Sequence, residues 1–103
     1  MNSPKQDLSK KYPAAAEILR QLGGGRALVM AGATAIFDKD YLILKLRSNY
    51  LQIRLNALDL YDIRYCADTQ KEPDKPIAQA SGVFCENLIE TCQRLTGLYF
   101  RLF

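Results

Sequence analysis

The chain has 103 residues, 49% of them hydrophobic and 24% charged, with a net charge of +3, three cysteines and no histidine. That is the size and balance of one globular domain with a core of its own. The charge falls short of a polybasic chain, the missing histidine removes the commonest general base and zinc ligand, and no apolar run is long enough for a transmembrane helix.

Residues 1–12 are polar and carry lysines, and are expected to form a flexible segment ahead of a single α+β domain over 13–103. Lacking an apolar stretch, they do not read as a signal peptide. Pro13 suits the first turn of a helix running to Leu22, with Ala15, Ile18, Leu19 and Leu22 on one face. Gly23, Gly24 and Gly25 then stop it. They do not make a phosphate loop, which would follow a strand and lead into a helix through Gly-Lys-Ser/Thr.

Residues 26–37 are expected to form one strand bent at Gly32, or two short strands. A three-residue turn at 38–40 places Ile36 opposite Leu42. The stretch 41–65 is the clearest part of the chain. Leu42, Leu44 and Leu46 alternate with Ile43, Lys45 and Arg47, and Leu51, Ile53 and Leu55 alternate with Tyr50, Gln52 and Arg54. A two-residue turn at Ser48-Asn49 sets 46 against 51, 44 against 53 and 42 against 55. A second turn at Asn56-Ala57 sets Arg54 beside Asp59 but would bury Asp62, so a bulge near Tyr61 is expected to return Ile63 and Tyr65 to the core.

Residues 67–80 read as a polar loop containing Pro73 and Pro76. Ser81 caps a second helix over 82–95, with Phe84, Cys85, Leu88, Cys92 and Leu95 as its apolar stripe and Gly97 as its stop. The expected fold is a two-layer α+β domain, α-β-β-β-β-α. An antiparallel sheet of three to four strands carries the N-terminal and C-terminal helices on one face and leaves the other open.

An odd cysteine count argues for a reducing compartment, hence the cytoplasm. Cys85 and Cys92 read as core residues, and Cys66 as the most exposed of the three. Asp59 and Asp62 could serve acid–base chemistry or a cation, yet turn formation and pairing with Arg54 or Arg64 account for them as well. No catalytic residue, metal site or cofactor is expected, and the chain reads as non-enzymatic.

The outward hairpin face carries Tyr41, Ile43, Lys45, Arg47, Tyr50, Gln52 and Arg54. Three readings stand for it: a solvated sheet surface, a protein interface anchored by tyrosine and arginine, and a surface for single-stranded nucleic acid. Ile43 and Tyr50 favour a protein partner or self-association, a homodimer included. Lys45, Arg47, Tyr50, Gln52 and Arg54 are the candidate partner-binding residues.

Four segments carry a resemblance: ILRQLGGG (18–25), VMAGA (29–33), LNALDLYDIRY (55–65) and GVFCENLIETCQRLTGLYFRL (82–102). In order and spacing they resemble a family of small proteins encoded by bacteriophages and other mobile elements, most of unassigned function. The short Ser48-Asn49 turn and the basic N-terminus depart from that pattern. The resemblance implies a phage or plasmid accessory protein of the bacterial cytoplasm that binds and inhibits or modulates host machinery, such as an anti-CRISPR acting on a CRISPR effector. The alternative is a nucleic-acid-binding accessory protein of the mobile element. The family has no established catalytic residues to transfer.

Overall fold

The computed structural model describes residues 10–67, 76–98 and 100. Its elements are α1 (Pro13–Leu22), α2 (Gly25–Ala31), β1 (Thr34–Phe37), β2 (Tyr41–Lys45), β3 (Asn49–Leu55), β4 (Tyr61–Ala67), β5 (Ala78–Val83), a 3-10 turn (Cys85–Asn87) and α3 (Leu88–Thr96). The strands form one five-stranded antiparallel sheet in chain order. α1 packs on β2 and β3, α3 packs on β4 and β5, and the two helices meet. The two-layer α+β architecture is as expected, with five strands in place of three or four. Expectations for residues 1–9, 68–75, 99 and 101–103 lie outside the described residues. Among the described residues, no helix is long and apolar enough to cross a membrane.

α1 forms where expected. Pro13 occupies its first turn, and Ala15, Ile18 and Leu22 are buried. Gly23 takes the left-handed conformation at φ 114°. The N–H groups of Gly23 and Gly24 return to the carbonyls of Arg20 and Leu19, at 3.1 and 2.9 Å. Tyr12, assigned from sequence to the flexible segment, packs against the core.

Residues 26–37 do not form one bent strand. The first part is the helix α2, and only Thr34–Phe37 is extended. Arg26, Ala27, Leu28 and Met30 are good helix formers, and the glycines delimit the helix on both sides. Gly24 precedes it at φ 70° and Gly32 ends it at φ 65°. Ala27 and Ala31, four residues apart, are buried, while Val29 is 83% exposed. Gly32 therefore acts as a helix cap instead of a strand bend.

The strands bury the expected faces through shifted turns. β2 meets β3 with Leu42 opposite Ile53 and Leu44 opposite Leu51. Leu46 N–H donates to the Asn49 carbonyl at 2.8 Å, so the turn is Arg47-Ser48, not Ser48-Asn49. The β1–β2 turn also has two residues, because Asp38 N–H donates to the Tyr41 carbonyl at 3.1 Å. Phe37 therefore faces Leu42, and Ile36 stands on the outer face opposite Ile43, not on the inner face opposite Leu42 as expected.

The β3–β4 turn takes three residues, Ala57, Leu58 and Asp59, closed by Asn56 N–H to the Leu60 carbonyl at 2.8 Å. Asn56 Oδ1 accepts from the N–H groups of Leu58 and Leu60, at 2.8 and 3.2 Å. Asp59 supplies the left-handed residue, φ 61°, that ends a turn of this length. Ile53 then faces Ile63 and Arg54 faces Asp62 without a bulge between β3 and β4. The irregularity near Tyr61 lies on the other side of the strand, in the β4–β5 pairing.

The largest departure is β5. Residues 78–83 extend the sheet, and the last helix starts only at Leu88 after the 3-10 turn. β4 would otherwise present an open edge, and pairing satisfies its backbone. Phe84 and Cys85 are consequently exposed, while Leu88 and Cys92 are fully buried. Phe100 closes the core: its side chain is buried, and its N–H donates to Gln93 Oε1 at 3.0 Å.

Candidate functional site

Leu42, Leu44, Leu51, Ile53 and Ile63 point toward the helices and are fully buried. Alternation along each strand sends their neighbours to the opposite face, over which neither α1 nor α3 packs. Three rows cross that face. One runs Thr34, Lys45, Tyr50, Cys66. The next runs Ile36, Ile43, Gln52, Arg64, Gln79. The third runs Tyr41, Arg54, Asp62.

Four of the five expected binding residues, Lys45, Tyr50, Gln52 and Arg54, lie on the ladder of two adjacent strands, with Lys45 directly opposite Tyr50. Arg47 does not share the ladder. The turn shift places it at the exposed hairpin tip beyond Lys45. Lys45 and Arg54 are exposed, and Tyr50 and Gln52 are half-buried.

Sequence reasoning missed Ile36, Arg64, Gln79 and Cys66 as members of this surface. Ile36 was hidden because both phases of TAIF contain apolar residues. Arg64 was hidden by the uncertain β3–β4 turn, and Gln79 by the reading of its segment as loop. Cys66 is buried, against expectation, and its cross-strand neighbour on this face is Tyr50.

The acidic residues have structural work. Asp62 stands opposite Arg54, but its Oδ1 accepts from Asn56 Nδ2 at 3.2 Å and from Gly82 N–H at 3.0 Å. It thereby ties the β3–β4 turn to the irregular part of β5. Asp59 shapes the turn tip. At the β1–β2 end, the neighbouring Asp38 carboxylate raises the Tyr41 pKa. Among the described residues, no group of His, Cys, Asp or Glu is arranged to hold a metal. The surface can offer hydrogen bonds, aromatic and aliphatic contact, and positive charge from Lys45, Arg47, Arg54 and Arg64.

The fold and this face define a small two-layer α+β protein with a mixed apolar and basic outer sheet face over which neither α1 nor α3 packs. No family model, curated protein or solved structure matches the chain.

Proposed function

We propose that the chain is a non-enzymatic binding protein whose outer sheet face takes a protein partner. Following its sequence resemblance, it would act in a bacterial cytoplasm as a phage or mobile-element accessory that inhibits or modulates host machinery, with a CRISPR effector as the partner class. The observation that carries the binding role is the row from Ile36 through Ile43 and Gln52 to Arg64, crossing the sheet beside Tyr50 and Arg54. Strands hold these side chains in place, so binding costs little ordering. Aliphatic area beside tyrosine and arginine is the mixture that anchors protein interfaces.

A second reading, single-stranded nucleic acid, is favoured by the position of Tyr50 opposite Lys45 and near the Arg47 tip. There a base could stack while its phosphates pair. One set of measurements separates the two. Host pull-down with and without nuclease, using Tyr50→Ala and a Lys45→Ala, Arg47→Ala, Arg54→Ala triple variant, should recover a nuclease-resistant protein partner. Tyr50→Ala should weaken its affinity by about 2 kcal/mol. Oligonucleotide binding with a steep salt dependence that the triple variant flattens would favour nucleic acid instead. Unchanged behaviour of both variants would leave the face a solvated surface.

A further inference from the structure

Apart from its outer face, the sheet has an open edge at β1. Among the described residues, β1 pairs only with β2. The Asp38 N–H to Tyr41 carbonyl bond marks 38 and 41 as a hydrogen-bonded pair. Alternation then makes Ile36–Ile43 and Thr34–Lys45 hydrogen-bonded pairs as well, and turns the N–H and C=O of Ala35 and Phe37 away from β2. Ala33 N–H, on that same side, is taken by the Leu28 carbonyl at 2.9 Å. Among the described residues, nothing takes the four groups of Ala35 and Phe37. They border a cleft of about 760 Å³ between β1, α1 and α2, whose apolar lining includes Leu19, Leu28, Ala35 and Phe37. Ile36 beside them is 45% exposed, and among the described residues three of the six exposed large apolar side chains, Val29, Met30 and Ile36, belong to α2 and β1.

We infer that this edge is a self-association surface, on which β1 of a second copy pairs antiparallel to form a continuous ten-stranded sheet. One register stands out. With Ile36 opposite Ile36 of the other copy, Ala35 faces Phe37 and Phe37 faces Ala35. Those two pairs exchange four backbone hydrogen bonds and use every free group on both edges. Moving the centre to Ala35 would call on Ala33 N–H, which is already bonded. Moving it to Phe37 would call on Lys39, which lies in the turn.

The chosen register closes under a two-fold axis, so the assembly stops at two copies and leaves no β1 edge exposed. Its side chains also match. The two Ile36 residues meet as the closely spaced, non-hydrogen-bonded pair on the outer face. On the inner face each Phe37 ring stands beside the partner's small Ala35, at the mouth of the partner's cleft. An unrelated peptide could use the same backbone groups but would lack this enforced pairing of large with small.

Sedimentation of the full chain over a concentration series should give twice the monomer mass. Ile36→Lys should halve the sedimenting mass at a concentration where wild type is dimeric, with an unchanged circular dichroism spectrum. Ala35→Pro should do the same, since it removes an N–H that β2 does not use. In a Cys85→Ser background, Ile36→Cys should cross-link to itself under mild oxidation. Facing residues in a non-hydrogen-bonded pair lie within disulfide reach, and Ala35→Cys, which faces Phe37, should cross-link far less. The Lys45, Arg47, Arg54 triple variant should remain dimeric, so this test stands apart from that of the outer face. A monomer at every concentration, a dimer indifferent to both β1 substitutions, or a monomer that takes up an apolar strand peptide at β1 would each overturn the inference.

Discussion

Asp59 stands at φ 61°, a conformation that L side chains other than Asn and Asp rarely adopt. Its short polar side chain is one of the few compatible with the end of a three-residue hairpin turn. Asp59→Gly should be neutral or stabilising by up to about 1 kcal/mol, because glycine accepts that backbone without strain. Asp59→Val should cost about 1–2 kcal/mol. Urea unfolding checks both, and a Val variant as stable as wild type would show that the turn readily adopts another form.

The cysteines separate by environment. Cys85 is exposed, Cys66 and Cys92 are buried, and burial pushes the Cys92 thiol up to about 12. Reaction requires the thiolate. At pH 8 the native protein should therefore take up one equivalent of iodoacetamide rapidly, at Cys85, and two more only in denaturant, as peptide mass spectrometry can show. Rapid native labelling of Cys92 would contradict its placement beside Leu88 in the core.

Glu17 supplies the pH-dependent contact. Arg20 donates to its carboxylate at 2.6 and 2.9 Å and Gln21 at 3.0 Å, and its pKa falls from 4.5 to about 2. Since the folded value is the lower one, the contribution is complete above pH 4.5 and is lost as pH falls toward 2. Both side chains of the pair are substantially exposed, so solvent and salt screen it. Thermal melts of Glu17→Gln should show a shallower loss of stability than wild type between pH 4.5 and 2, and the difference should shrink in high salt.

At the scale of elements, legibility followed the strength of the local signal. α1 was fully readable, because Pro13, the spacing of Ala15, Ile18 and Leu22, and Gly23 all agree. The central hairpin was readable as to face but not as to turn. A change of two in the pairing sum keeps every leucine inward, so alternation alone cannot choose between Ser48-Asn49 and Arg47-Ser48. That is why Lys45, Tyr50, Gln52 and Arg54 were placed on one face correctly while Arg47 was not. α2 was unreadable as a helix because 27–31 is apolar or small at every position and shows no periodicity. β5 was unreadable as a strand because alanine, serine and glycine carry little pattern. It is defined by its neighbour, since the Asp62 carboxylate accepts from Gly82 N–H across the irregular pairing. Asp62→Ala should cost about 1–3 kcal/mol and raise hydrogen exchange selectively at Gly82. Uniform acceleration along the whole of β5 would show that Asp62 does not anchor that point in particular.

At the scale of the molecule, Phe100 belongs to the core that the two layers share. Phe100 is 2% exposed and belongs to the same cluster as Ile18, Leu42, Ile53, Leu88 and Cys92. The chain reaches it through Gly97, whose left-handed conformation, φ 73°, ends α3. Thr96 Oγ1 reinforces that exit, donating to the Cys92 carbonyl at 2.7 Å and accepting from Leu98 N–H at 3.1 Å. Beyond α3, the buried Phe100 side chain joins a core cluster drawn from the sheet and both long helices. Removing the ring should cost about 3–5 kcal/mol, a large part of the 5–15 kcal/mol that holds a domain of this size together. Phe100→Leu keeps most of the apolar volume and should cost roughly half as much or less. Denaturant titration of the two variants decides the point: a Phe100→Ala chain within about 1 kcal/mol of wild type would mean the core closes without this residue. The expected large loss would make Phe100 as necessary to the fold as the strand residues that share its cluster.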